Sequence, residues 1–372
     1  MGAATFCSSK EGNIKITFLS FYSGRVNRGV ETFTHELANN LVDLGNEVTV
    51  YQAGEKSDGS RYKIIRPYIV VDWSHKTRTN TVFRKLLSDY WSLKIFQFTI
   101  KVVSGLMRKD VDIVIPLNGG WQSVIIRIFS FFKGAKVIIS GQSGPGYDDK
   151  FNLFTFPDAF VGLTDYQSKW AKKVNSKVRV EKIPNGIDIE KFSLKDSLIK
   201  TRLKKPIVLI VSALVAIKRI DLTIKAVAKT NASLLIVGDG ELRDGLEVLA
   251  QKLIPDRFEF AKYYYQDMPK VYPVANVFAF STQPWESFGI VMLEAMANNI
   301  PVVASDDPIR HEIVSDAGIV VDVENTEAYA KALQKALDKK WGNIPRTRAK
   351  EFSWDLIAEK YNNLFKSLLN AN

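Results

Sequence analysis

One cysteine, Cys7, stands in 372 residues. A single thiol excludes any disulfide within the chain and suits a reducing compartment. Long apolar runs are missing too. Nothing approaches the ~20 residues that a membrane-spanning helix needs. The richest candidate, Val124 to Phe132, is broken by Arg127 and closed by Lys133. Met1 to Asn13 carries no apolar core of the kind found in a secretory leader, so a cytoplasmic protein is expected. There is no internal repeat and no low-complexity tract. No helix-turn-helix, zinc-finger or RNA-binding signature is present, which argues against a nucleic-acid partner despite a net charge of +11.

What remains is an ordinary soluble composition, 46% hydrophobic and 24% charged, with apolar content enough for two cores. At ~150 residues per domain the length predicts two domains. Charge divides them unevenly. Residues 1 to 185 hold 26 basic and 16 acidic side chains, the remainder 25 and 24. Nearly all the positive surplus is in the first half, which is therefore expected to meet something anionic, such as acidic lipid head groups or a phosphorylated acceptor.

The most informative stretch is Ser281 to Ser305, S-T-Q-P-W-E-S-F-G-I-V-M-L-E-A-M-A-N-N-I-P-V-V-A-S. A strand-like run, Val274 to Phe280, precedes it. A tight polar loop to Gly289 follows, then a helix, then a second strand from Pro301. Peptide N–H groups at a helix start lack intrahelical acceptors and favour an anion such as phosphate. Here Ser287, Phe288, Gly289, Ile290 and Val291 would supply them. Glu286 lies just before that turn. Glu294, eight residues on, lies about two turns into the helix. Between them they could accept hydroxyls on either side of a diphosphate, a spacing that suits a nucleotide-sugar. Two merely solvated glutamates are the alternative. Glu294 speaks against it, because a carboxylate inside V-M-L-E-A-M-A costs ~several kcal/mol without a partner.

Both halves alternate strand and helix, the doubly wound pattern. Ile14–Ser20, Val30–Leu44 and Glu47–Tyr51 open it as strand, helix and strand. Val111–Pro116, Ala135–Ser140, Ala159–Leu163 and Val178–Ile183 are further strands, with a helix at Asp165–Val174. A linker is expected from about Lys191 to Pro206. Ile207–Val211, Ser233–Val237, Phe258–Tyr265 and Gly318–Asp322 are strands of the second half, and Trp354–Leu369 is the last helix. From Thr79 to Met107 the pattern predicts one long or broken amphipathic helix, aromatic on one side and basic on the other, suited either to a core or to a membrane interface. Asp110 and Asp112 form a D-x-D pair at a helix-to-strand turn and are read as turn and strand-start residues, so no metal site is expected. His35, His311 and Glu312 are read as structural.

The order E-S-F-G-I-V-M-L-E-A-M-A then P-V-V-A resembles the Glu-x7-Glu signature of glycosyltransferase family 4, retaining enzymes with the GT-B fold. I-P-N-G-I-D-I-E-K-F, Ile183 to Phe192, is a second shared signature. Asn298-Asn299-Ile300 stands where the family has a glycine near Pro301; Asn tolerates the left-handed conformation there. The resemblance extends over nearly the whole chain from Ile14. It implies two Rossmann-like domains facing a cleft: residues 1–188 with the returning helix 355–372 for the acceptor, and 189–354 for the nucleotide-sugar. Glu286 would hold the donor sugar, Glu294 the ribose and Lys218 the diphosphate. Gly29, within R-G-V-E, would approach a phosphate from across the cleft. Gly238 and Gly240, in G-D-G-E-L, would lie near the nucleotide. The family's diphosphate arginine is replaced by Ala213, and Arg219 is expected to compensate. The family's histidine is absent from the loop Gly141–Asp149, where Gln142, Ser143 and Gly144 are candidates for the sugar or acceptor pocket.

The implied reaction is metal-independent transfer by a front-face mechanism, without a cofactor. The acceptor would be a glycan or a polyprenyl- or lipid-linked glycan, reached at the inner face of an anionic membrane by peripheral contact. A sugar-nucleotide epimerase of the same fold and a non-catalytic nucleotide-sugar-binding homologue are the alternatives.

Overall fold

The computed structural model describes residues 13–26, 29–55, 59–75, 87–193, 199–284 and 286–371. Arg28 and Trp285 therefore lie outside the described residues, as does most of the first third of the expected amphipathic segment.

The runs of β-branched and apolar residues become strands that are buried on both faces, as parallel sheets require. Seven strands form the first sheet: β1 (Lys15–Leu19), β2 (Glu47–Tyr51), β3 (Lys63–Ile65), β4 (Ile113–Pro116), β5 (Lys136–Ser140), β6 (Ala159–Gly162) and β7 (Val180–Lys182). Their order is β3-β2-β1-β4-β5-β6-β7. Six form the second: β8 (Ile207–Val211), β9 (Ser233–Val237), β10 (Phe258–Ala261), β11 (Val277–Phe280), β12 (Val302–Ser305) and β13 (Gly318–Val321). Their order is β10-β9-β8-β11-β12-β13. All these pairings are parallel, for instance Ile16 opposite Val48 and Phe278 opposite Val302. This is the GT-B arrangement. In each sheet the strand order reverses beside its first strand, between β1 and β4 and between β8 and β11. Loops leaving the strand ends on either side of such a point diverge and leave a crevice.

Two segments connect the sheets. Ile187 lies parallel to Ser353: its N–H donates to the Phe352 carbonyl (2.8 Å), and Trp354 N–H donates back to the Ile187 carbonyl (3.3 Å). The helix Trp354–Leu369 then packs on the first sheet's side, against the helix Gly29–Asp43. Its Trp354, Ile357, Tyr361, Leu364 and Phe365 share a core with Phe33, Leu37 and β1. Glu312 ties the units a second time, accepting from Asp165 N–H (2.7 Å) and from Lys182 Nζ (3.2 Å). His35 is a packing residue, its ring bonded to Tyr62 and Asn39. His311 faces Asp306 at 2.8 Å. Asp112 accepts the Lys15 N–H and Asp110 pairs with Lys15 Nζ.

Some expectations change. The amphipathic segment yields a helix over Tyr90–Leu106, started by the Asp89 carboxylate, which accepts from Trp91 and Ser92 N–H. Ile95, Phe98, Val102 and Leu106 face inward, yet Leu93, Phe96 and Ile100 share the outer face with the lysines. The glycine-rich loop is shorter than its sequence suggests, because Tyr147–Leu153 already coils as a helix. The run around Val124 is a helix, Trp121–Lys133, packed on Tyr90–Leu106. No helix among the described residues is long and apolar enough to cross a membrane.

Trp354 is 5% exposed and begins the returning helix. Trp354→Ala is expected to cost ~3–5 kcal/mol, read as a lowered unfolding midpoint in a chemical denaturation series. An unchanged midpoint would show that this helix does not hold the first unit.

Candidate functional site

A cleft of about 820 Å3 lies where the switch points of both sheets meet. From the first sheet it takes Gly29, Leu117, Asn118, Gln142 and Asn185; from the second, Ser212, Ala213, Gly238, Phe280 and the run Glu286 to Val291.

Glu286 and Lys218 meet in its wall. Lys218 Nζ donates to Glu286 Oε2 at 2.6 Å, both side chains about four-fifths buried. The sequence reading set one on a sugar and the other on a phosphate; in the structure they neutralise each other. Lys218 ends a single 3-10 turn, Ala216–Lys218, while Glu286 sits at the end of the loop leaving β11. Among the described residues lining the cleft, Lys218 is the one cation.

Next to this pair begins the helix Ile290–Ala297. Gly289 is its N-cap with φ 86°, and no side chain caps it. A Cβ at Gly289 would lie 2.7 Å from the Phe280 ring, so both conformation and space demand glycine. Ser287, Phe288, Gly289, Ile290 and Val291 all line the cleft. Phe288 does so while its ring is buried against Phe352, 6.2 Å between centroids. Gly238 is also on the wall, and a Cβ there would come within 1.8 Å of the Ser212 carbonyl. Gly29 starts its helix in open space, with nothing within 4 Å of an added Cβ.

Three expected residues are placed elsewhere. Glu294, Arg219 and Gly240 are not among the described residues that line the cleft. Glu294 is 3% exposed and accepts a 2.5 Å hydrogen bond from the Tyr272 hydroxyl. Burial pushes its carboxyl up to about 7, against the opposing pull of Tyr272 and of Lys191. The partner that a carboxylate in this apolar helix needs is thus supplied by the protein. Arg219 is a correction: its guanidinium donates to the Ser281 and Thr282 carbonyls (2.9 and 2.6 Å) and to Glu324 (2.7 Å). It braces the end of β11 from behind. Ala213, at the position of the family's arginine, does face the cleft, so Arg219 does not fill that vacancy. Gly240 packs on the Leu214 backbone, where a Cβ would meet the carbonyl oxygen at 2.5 Å.

In the first unit Gln142 exchanges amide bonds with Asn185 (2.9 and 3.1 Å) and lines the cleft. Ser143 opens onto a neighbouring cavity, and Gly144 lies off both walls with φ 80°.

Sequence reasoning missed Arg310, and it ran the strand Phe258–Tyr265 through two tyrosines that face the cleft. Tyr263 and Tyr265 both line the cleft, whereas Tyr264 is 79% exposed. Lys191 Nζ lies over the Tyr265 ring, 4.6 Å from its centre. Arg310 is fully buried beneath the Glu286 loop. Its Nη1 donates to the Glu286 carbonyl (2.8 Å), its Nε approaches Asp307 at 3.4 Å, and the guanidinium lies over Phe280. Burial lowers its pKa, with Asp307 and Glu286 opposing. The cue was R-H-E-I-V: Arg310 lies on the helical face of Ile313 and Val314, where a solvated arginine does not belong.

Glu294 binds its proton more tightly folded than unfolded. Its contribution is therefore full below the unfolded value near 4.5 and is lost as pH rises through about 7. Asp149, raised to about 7 by burial and Asp148, adds in the same direction. Thermal midpoints measured from pH 5 to 8 should fall, and Glu294→Gln should flatten that fall. An equal slope in the variant would contradict the buried acid.

Comparison with known proteins places this geometry. A model described as "Glycosyl transferases group 1" matches residues 195–353, which carry the second sheet and both glutamates. The chain is 29% identical over 213 residues to a GDP-mannose-dependent monoacylated alpha-(1-6)-phosphatidylinositol monomannoside mannosyltransferase of Corynebacterium glutamicum, covering 50% of this chain and 56% of that protein. It is 36% identical over 108 residues to O-antigen chain mannosyltransferase B of Escherichia coli, covering 28% of each. The alignments thus span between about a quarter and just over half of these relatives. Sucrose-phosphate synthase of Thermosynechococcus elongatus superposes over 97% of this chain and 100% of its own with a TM-score of 0.76 at 19% identity, a likeness of fold. Residues 195–353, the part that carries the second sheet, are thus similar to glycosyl transferases group 1.

Proposed function

We propose that the protein is a retaining glycosyltransferase that moves a sugar from a nucleotide-diphosphate-sugar to a hydroxyl of a glycan or lipid-linked acceptor. The supporting observation is the Lys218–Glu286 pair beside an uncapped helix start, facing Gly29 across one cleft. A diphosphate entering there competes for the Lys218 charge and takes the free amides. Sugar hydroxyls then take Glu286, so one ligand replaces the ion pair on both sides at once.

The reaction follows from those positions. The bond between the anomeric carbon and the phosphate oxygen breaks, and the electron pair leaves with the diphosphate. Lys218 and the amides of Ser287 to Val291 stabilise that growing charge. The acceptor hydroxyl attacks the same face and its proton passes to the departing phosphate oxygen. These residues supply the positive charge from the protein, so this scheme requires neither metal nor cofactor. A two-carboxylate hydrolase scheme needs both acids beside one bond; Glu294 is instead bonded to Tyr272 behind the wall. In the same reading Tyr263 and Tyr265 border the nucleotide.

The acceptor class is read from the surface. Phe131 and Phe132 are 86% and 72% exposed at the end of the helix Trp121–Lys133. Leu93, Phe96, Ile100 and Met107 are exposed on the adjacent helix and at its end, with Lys94, Lys101 and Lys133 among them. Apolar tips ringed by cations suit peripheral contact with an anionic membrane. That supports a working position at the cytoplasmic face of a membrane, beside a lipid-linked acceptor. The Corynebacterium relative, by its name, uses a phosphatidylinositol mannoside.

A thermal-shift panel of nucleotide-sugars should find a donor that stabilises the protein. Glu286→Ala and Lys218→Ala should weaken the shift, and Lys218→Ala should lower kcat by ~10²–10³-fold. Equal shifts in all three proteins would remove the site assignment. Flotation with phosphatidylglycerol vesicles should retain the wild type and lose Phe131→Ser/Phe132→Ser; equal retention would remove the membrane contact.

A further inference from the structure

A second cavity of about 400 Å3 opens beside the cleft and is lined by the first unit alone. Val30, Leu117, Asn118 and Gln142 belong to both linings, so the two spaces communicate. Asn118, Asn152, Asp148 and Asp149 line this cavity together with Trp91 and Trp121. Among the described residues lining it there is no lysine, arginine or histidine. That is unexpected in a half-chain carrying 26 basic and 16 acidic residues.

We propose that this cavity receives the terminal sugar of the acceptor, and that this sugar is uncharged. The inference rests on the transferase reading above and adds the chemistry of the receiving end. Carboxylates and amides accept and donate to hydroxyls, while aromatic faces cover the apolar side of a sugar ring. A phosphate or uronate placed here would meet like charge in a partly dry space. The donors that hold an anion, Lys218 and the helix amides, are all on the opposite wall of the cleft.

The lining is built to hold its shape. Asp149, 1% exposed, accepts from Gln167 Nε2 at 3.0 Å, and Gln167 also donates to the Gly141 carbonyl at 2.6 Å. Asn152 Oδ1 accepts from Ser123 Oγ at 2.9 Å. Trp121 is set by its Nε1 donating to the Leu87 carbonyl at 2.7 Å. Its ring is 36% exposed and lies 5.8 Å from that of Phe96, itself on the apolar outer face. A sugar in the cavity can therefore be the end of a longer molecule whose remainder leaves past Trp121 along that face.

The test uses the full chain and saturation-transfer NMR. The probes are methyl α-mannoside, methyl α-glucoside and methyl N-acetylglucosaminide against mannose 6-phosphate and methyl glucuronide. At least one neutral glycoside should bind saturably, with the anionic sugars weaker by ~10-fold or more. Trp121→Ala and Ser143→Trp, both changes at exposed positions, should abolish the neutral signal, and Asp148→Asn should narrow the gap to the anionic sugars. Anionic sugars binding as well as neutral ones, or a neutral signal that survives both variants, would overturn the proposal. No sugar signal while a nucleotide-sugar still stabilises the protein would overturn it and leave the donor site standing. Loss of donor stabilisation as well would overturn the transferase reading itself.

Discussion

The short parallel contact between Ile187 and the segment 352–354 governs how the two sheets face each other. It is the place where the chain crosses out of the first unit and where it returns. With Glu312 reaching Asp165 and Lys182, it orients the strand ends of β1, β4, β8 and β11 toward one gap. Each sheet alone would offer a shallow crevice at its switch point. Held face to face they enclose a space large enough for a nucleotide and a sugar, lined by Tyr265 from one unit and Gly29 from the other.

Charge is distributed within that frame by what each wall can satisfy. The second unit places Lys218, uncapped amides and Glu286 together, and the buried Arg310 holds the Glu286 loop from below through its carbonyl. Arg219 occupies its donors with the carbonyls behind β11, so the wall keeps a single cation among its described residues. The first unit, though it carries the positive surplus, lines its own cavity with amides and carboxylates and has lysines among the apolar residues outside. A basic composition therefore describes the surface of that half and not its interior. Composition averages over faces that burial separates.

Much of this architecture was legible in advance because its causes are local. Runs such as Ile207–Val211 and Ser233–Val237 match the observed strands residue for residue, and Trp354–Leu369 matches its helix. Asn299 takes φ 62°, the left-handed conformation expected of the residue standing near the family's glycine. Boundaries slipped where neighbours intervene: Phe258–Tyr265 stops as a strand at Ala261, and the chain then turns so that Tyr263 and Tyr265 enter the cleft. The exposed Phe131 and Phe132 were read as part of an apolar run, because hydropathy carries no sign of which face is covered.

The sequence by itself determined the alternation of strand and helix, the two-sheet architecture, and the short stretches that carry Lys218, Glu286 and the Gly289 turn. Those depend on backbone hydrogen bonding and on periodicities of a few residues. Only the tertiary structure decided that Lys218 faces Glu286, that Glu294 is taken by Tyr272, and that Arg219 turns away while Ala213 faces the cleft. The partner of a polar side chain is set by sheet register and by which segments are brought alongside. Those contacts join residues 68, 22 and 105 positions apart for Lys218–Glu286, Tyr272–Glu294 and Arg219–Glu324, distances over which no local pattern in the chain carries information.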